Sequence, residues 1–252
     1  MKKLNLIWIT ALILIVCSGL VNATGDITSD LTVHYDFETQ GAGVVDDLMD
    51  YKEATVIGND RWVNDTDYGR GWSFSANDGF IDMGDAQSNI NVYTYCIFGN
   101  ATASYGRIFT ESTQGYNQGT NFHKYTDGTT RITQTGGATT QLGTINEEIA
   151  AICNAVDGSR IVQYINGTLA ANVSYSINLF WLQHQYIGSG YWDISPYYES
   201  GYTGYMFDFR VYNRTFDEDD ALLYYTTMTT SVSPPVISDV CCTSPDPDDC
   251  SE

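Results

Sequence analysis

Basic side chains are scarce in this 252-residue chain, with 11 Lys and Arg against 31 Asp and Glu and a formal net charge of −20. Such a surface repels phosphate backbones and anionic membranes, which excludes nucleic-acid binding as a function class. Histidine is scarcer still. His34, His123 and His184 are scattered and sit in no zinc-ligand spacing. The paired-carboxylate string Glu-x-Asp-x-x-Glu, which would place two catalytic acids on one strand face, is absent. Asp46-Asp47 and Glu147-Glu148 are adjacent pairs, which an extended chain points to opposite sides. Gly-x-Ser-x-Gly elbows and phosphate-cradling glycine loops are also missing. These absences favour a binding or structural protein over an enzyme.

Long apolar runs are lacking except for Leu4 to Val16, behind Lys2 and Lys3 and before the small-residue exit Val21-Asn22-Ala23. That run is shorter than the ~20 apolar residues that span a bilayer. A signal peptide over residues 1–23, cleaved after Ala23, is therefore expected, with a secreted or extracellular-surface product and no membrane insertion after cleavage. Acidic loops and sequons suit that setting. Asn22, Asn64, Asn100, Asn166, Asn172 and Asn213 begin Asn-x-Ser/Thr triplets, and all but Asn22 survive cleavage as candidate glycosylation sites.

What is abundant is period-two alternation in short runs, separated by Gly, Asn and Asp clusters. Leu31, Val33, Tyr35 and Phe37 share one face; so do Val92, Thr94, Cys96 and Phe98, and Ile149, Ala151 and Cys153. Arg160 to Ile165 and Thr168 to Ala171 flank Asn166-Gly167, the signature of a type I′ hairpin. Gly71 to Ala76 and Phe80 to Met83, split by Asn77-Asp78-Gly79, read as a second hairpin. One helix is expected, over Glu218 to Tyr225, with Asp217 as cap and Asp220 three residues on. Capping is preferred to metal binding for that acidic cluster. The pattern predicts an all-β domain over 28–230 with one short C-terminal helix. Residues 231–252, with Ser233-Pro234-Pro235 and Cys241, Cys242 and Cys250, read as a Pro/Cys/Asp-rich tail or truncated linker.

Four stretches then resemble the laminin G-like and pentraxin branch of the concanavalin A-like lectin and glucanase superfamily, which implies a two-sheet antiparallel jelly-roll sandwich for the all-β domain. Leu31-Thr-Val-His-Tyr-Asp-Phe-Glu38 is similar to the family's first strand, and Asp46 to Val56 has the length of its following loop. Gly71-Trp-Ser-Phe-Ser-Ala-Asn-Asp-Gly-Phe-Ile-Asp-Met-Gly84 looks like its Gly-x-x-Phe-x-Gly-x-x-Asp-Tyr-Val segment. Gly204-Tyr-Met-Phe-Asp-Phe-Arg-Val-Tyr-Asn-Arg-Thr-Phe-Asp217 matches the closing strand most specifically.

The resemblance implies a disulfide between Cys96 and Cys153, with two buried thiols as the competing reading. It leaves three cysteines in the tail, an odd number that suggests an intermolecular disulfide. It also implies a structural calcium ion held by Asp36 or Glu38 of the first strand and Asp208 of the last; pairing of Asp208 with Arg210 competes. Ligand contacts are expected in the aromatic loop carrying Tyr191, Trp192, Asp193, Tyr197, Tyr198 and Glu199, rings that could equally pack the rim. The implied function is a secreted, non-catalytic module that binds a glycan or an extracellular protein. A structural component of a cell envelope or virion is the alternative, and a glycoside hydrolase is less favoured.

Overall fold

The computed structural model describes residues 27–37, 44–49, 53–58, 62–65, 67–74, 79–84, 92–100, 106–113, 116–134, 139–175, 184–188 and 202–230. Of these, 112–113, 116–120, 134 and 184 are described by backbone alone. In chain order the strands begin with β1 (Leu31–Tyr35), β2 (Val44–Val45), β3 (Ala54–Gly58), β4 (Trp62–Asp65) and β5 (Gly69–Phe74). They continue through β6 (Gly79–Gly84), β7 (Tyr93–Asn100), β8 (Gly106–Thr113), β9 (Tyr116–Lys124), β10 (Thr129–Gln134) and β11 (Thr139–Thr144). The last are β12 (Ile149–Val156), β13 (Arg160–Ile165), β14 (Thr168–Ser174), β15 (His184–Ile187) and β16 (Gly204–Tyr212), and the helix α1 (Glu218–Thr230) follows. Among the described residues no helix is long and apolar enough to cross a membrane.

These strands form two antiparallel sheets. The first runs β14-β13-β12-β7-β16-β5-β4, with β1 also paired to β16; the second runs β11-β10-β9-β8-β15-β6-β3-β2. Period-two alternation explains how each sheet fills the space between them. Tyr35, Ile97, Phe109, Phe122, Ile132 and Phe209 all point into one shared core and are almost wholly buried.

The central strand β7 departs from simple half-burial, since all eight of its residues are buried. Tyr93, Tyr95 and Ile97 face the second sheet, while Cys96 and Phe98 belong to a separate cluster with Tyr212, Phe216, Ala221, Tyr224 and Met228. That second cluster is the underside of α1, so the helix buries the outer face of the first sheet. The expected face-sharing of Cys96 with Phe98 is seen, and it is the helix-covered face. Cys96 lies opposite Cys153 in the β7–β12 register and is disulfide-bonded to it. Closing a 57-residue separation contributes ~4 kcal/mol by the loop-entropy account.

Helix α1 starts where the sequence places it and runs five residues further. Asp217 Oδ1 accepts from the Asp220 amide at 3.0 Å, and Asp220 Oδ2 accepts from the Asp217 amide at 3.2 Å. This reciprocal pair satisfies two of the helix's orphan donors. The acidic cluster is a cap. Asp220 is also gripped by the Arg214 guanidinium, which donates to both carboxylate oxygens.

The hairpin around Asn166-Gly167 forms as expected, with φ of 51° and 75° at the two turn residues and Ile165 opposite Thr168. Gly167 is required twice over, because a Cβ there would also sit 2.7 Å from the Leu222 Cα of α1. The second expected hairpin does not form. Strand β5 pairs with β4 and β16 in the first sheet, whereas β6 pairs with β3 and β15 in the second. Each strand buries apolar residues toward the same core from opposite sides, Trp72 and Phe74 from β5 and Ile81 and Met83 from β6. The two strands therefore stand in opposite sheets across the core instead of pairing in one.

Candidate functional site

Among the described residues, a concavity lies on the outer face of the first sheet, beside the part that α1 covers. Alternation along β13 turns Ile161 inward and leaves Arg160, Val162 and Tyr164 outward. Ala155 of β12 and Leu169 and Asn172 of β14 join them, and Thr215, Phe216 and Asp217 form the opposite wall. The groove encloses about 370 Å³, within the ~300–1,000 Å³ of small-molecule sites.

Its floor is apolar and its rim polar. Ala155, Val162 and the Tyr164 ring make the floor, and the exposed Leu169 side chain adds an apolar flank. The Tyr164 hydroxyl donates to the Phe216 carbonyl at 3.3 Å, tying floor to wall. Burial, then the charges of Asp217 and Glu218, raise its pKa. The wall itself is pinned from below. Thr94 Oγ1 donates to the Arg214 carbonyl at 2.7 Å and accepts from the Phe216 amide at 2.9 Å. The rings of Tyr212 and Phe216 lie 4.4 Å apart.

At the mouth, Asp157 and Arg160 form an ion pair of 2.7 Å. Asp157 Oδ1 also accepts from the Ser159 hydroxyl at 2.8 Å and from the Ser159 and Arg160 amides. The Ser159 hydroxyl bond is the main reason its pKa falls to about 2. The rim thus offers a fixed carboxylate, a guanidinium and an amide. Hydroxyl-rich ligands are recognised by such convergent polar groups over an apolar floor.

The residues singled out from sequence fare unevenly. Tyr191, Trp192, Asp193, Tyr197, Tyr198, Glu199 and Glu38 lie outside the described residues. Asp36 is half-buried just past β1. Asp208, expected as a calcium ligand, is instead buried in a network of donors. Arg210 donates to both its oxygens at 2.9 and 3.1 Å, the Tyr224 hydroxyl donates at 2.9 Å, and His34 Nε2 lies 2.7 Å away. The competing pairing of Asp208 with Arg210 is the one observed. A cation at Asp208 would have to displace a guanidinium that shares its strand face. Among the described residues no group of three His, Cys, Asp or Glu side chains converges on a metal position.

The sequons separate by exposure. Asn64, Asn172 and Asn213 are exposed. Asn100, expected as a glycosylation site, is instead 6% exposed within β7, hemmed between Ile149 and Tyr205 on the two neighbouring strands. Asn166 is half-buried and its Oδ1 accepts from the Ala151 amide at 2.9 Å. Of the histidines, His34 serves Asp208. His123 is buried in β9, where desolvation and the Arg107 charge lower its pKa to about 3 and keep it neutral.

Asp157, Arg160, Val162 and Leu169 were not singled out from sequence, because the groove exists only once three strands and the segment before α1 are assembled. One signal was legible. Arg160, Val162 and Tyr164 alternate against Ile161 and Ile165 within a recognised hairpin, which gives it a second, outward face carrying large side chains.

No family model matches the chain, and no curated protein matches it. Among solved structures it is similar to Trypanosoma rangeli sialidase, with a TM-score of 0.61, 12% identity, and coverage of 79% of this chain and 33% of that one. It is also similar to domain 4 of a GH43 extracellular arabinanase from Geobacillus stearothermophilus in complex with arabinotriose, with a TM-score of 0.61, 14% identity, and coverage of 77% and 97%. A third likeness is to the binding domain of botulinum neurotoxin DC in complex with SialylT, with a TM-score of 0.60, 10% identity, and coverage of 81% and 52%. The chain spans about a third of the length of the sialidase and nearly all of the arabinanase domain. At these identities the likeness is one of fold, a two-sheet antiparallel β-sandwich.

Proposed function

We propose that this chain is a secreted, non-catalytic module that binds glycan through the groove over β12, β13 and β14. The observation that carries the reading is the groove's construction, an apolar floor of Ala155, Val162 and Tyr164 under a rim of Asp157, Arg160 and Asn172. An apolar floor suits the C–H face of a sugar ring, and the rim groups suit its hydroxyls. Two neighbours of the same fold were solved with arabinotriose and SialylT, which supports a glycan as the ligand class. The closing strand Gly204 to Asp217 supports the laminin G-like branch as the finer family reading.

The groove's carboxylates argue against hydrolysis. A glycosidase needs a carboxylic acid whose pKa is held high enough to keep its proton, and Asp157 is held low, at about 2. Asp217 is occupied in capping α1. The Tyr191 to Glu199 loop is proposed as a second contact region.

A glycan array probed with protein from a non-glycosylating host tests this reading. Leu169→Trp fills the groove from an exposed position, and Tyr191 and Trp192 changed together to Ala remove the loop rings. Retention of a glycan by the wild type, weakened roughly tenfold by Leu169→Trp, is the expected result, equal to losing about 1.4 kcal/mol of binding. Binding that survives Leu169→Trp unchanged would move the site away from the groove. No retained glycan would overturn the assignment.

A further inference from the structure

The groove contains one of the chain's own sequons, Asn172-Val173-Ser174. Strand β14 lies at the end of the first sheet's order, paired there only with β13. Alternation turns Val173 toward the core, where it packs against the main cluster, and leaves Asn172 and Ser174 exposed on the outer face. Both sequon residues thus stay accessible in the folded strand. Asn172 lies directly opposite Val162 of the groove floor, and its side chain is part of the lining.

We propose that Asn172 carries an N-linked glycan whose first sugars occupy the groove, so that the chain covers its own binding site. This rests on the glycan-binding reading for its regulatory meaning. In the modification, Asn172 Nδ2 bonds to the anomeric carbon of a lipid-diphosphate-linked oligosaccharide. The bond from that carbon to the diphosphate oxygen breaks, the lipid diphosphate leaves with the bonding pair, and Nδ2 gives up one proton. Ser174 supplies the hydroxyl that the triplet requires two residues on.

Placement distinguishes Asn172 from the other exposed acceptors. Asn64 lies within the edge strand β4 and Asn213 follows β16, and neither lines the groove. A glycan on either projects into solvent. One on Asn172 begins inside a concavity of ligand size, with Asp157 as a hydroxyl acceptor, Arg160 as a donor and Leu169 as an apolar flank.

The test uses the full chain secreted from a glycosylating host. Site-resolved peptide mapping follows enzymatic release of N-glycans from native and from denatured protein. Asn172 and Asn213 are expected to be modified, with the Asn213 glycan released from native protein and the Asn172 glycan released fully only after denaturation. Leu169→Trp, which fills the groove, should make native release at Asn172 as fast as at Asn213. An unmodified Asn172, equal native release in the wild type, or protection that persists in Leu169→Trp would each overturn the proposal. Array binding by the same material separates the two readings. Ser174→Ala, which removes the triplet's hydroxyl and leaves the Asn172 side chain in the rim, should bind glycan more tightly than the glycosylated wild type, by roughly tenfold, and equal binding would overturn self-occupancy. If no form binds any glycan, the binding function falls while the release rates still decide whether the sugars sit in the groove.

Discussion

Replacing Asp208 with Asn tests how strongly the helix is held to the sheet. Asp208 and Arg210 are 5% and 8% exposed, and four donor groups from three elements meet on the carboxylate. Asn preserves the shape and removes the charge, leaving the Arg210 guanidinium buried with no anion beside it. Breaking a buried ion pair from one side costs about 3–5 kcal/mol. For a domain of this size that corresponds to a fall of about 6–20 °C in the unfolding midpoint. The assay is thermal unfolding by circular dichroism, with denaturant titration as a check on cooperativity. Adding Arg210→Met to Asp208→Asn should recover much of the loss, because it removes the stranded charge and keeps an apolar stem beneath Tyr224. A single Asn variant that unfolds with the wild type would refute the view that this network anchors α1.

Two other outcomes follow from buried groups. Glu111 is buried, and desolvation raises its pKa despite hydrogen bonds from Tyr93 at 2.6 Å and Gln185 at 3.1 Å. Its folded pKa lies above its unfolded one, so ionised Glu111 opposes folding at neutral pH and the opposition fades as pH falls into the carboxylate range. Glu111→Gln should therefore be more stable than the wild type at neutral pH, with the gap closing on acidification; a gap that widens in urea titrations would contradict this. For calcium, the engaged state of Asp208 predicts equal thermal midpoints in calcium and in chelator. A stabilisation approaching about 2.7 kcal/mol at hundredfold excess over Kd would return a metal role to the first strand.

Local rules carried much of the fold from sequence alone. Period-two alternation located β1, β7 and β12; the resemblance of Gly204 to Asp217 to a closing strand located β16; Asn166-Gly167 fixed a hairpin; and Asp217 with Asp220 fixed the start of α1. Each depends on residues within a few positions of one another. The placing of β5 and β6 in opposite sheets does not. Asn77-Asp78-Gly79 signals a change of direction, yet two strands that bury alternate residues toward one core look alike whether they share a sheet or face each other. The burial of β7 on both faces was hidden for a related reason, since its second cover is a helix more than a hundred residues away. Leu169 was invisible as a site residue, and the outward face that Arg160 shares with Val162 and Tyr164 becomes a groove only once sheet order sets it beside Phe216.

Strand β16 takes β7 along one side and β5 and then β1 along the other. Leu31 finds its partner at Tyr212, nearly the whole length of the sandwich later in synthesis. Until β16 leaves the ribosome, the first sheet exists only as separate pieces with unsatisfied edges, and its central gap cannot be filled by any earlier strand. Such late, long-range closure belongs to slow-folding topologies, and the open edges are templates for intermolecular pairing. The nascent chain therefore needs protection through most of its translation, and a product ending before residue 204 would be an aggregation-prone fragment instead of a smaller domain.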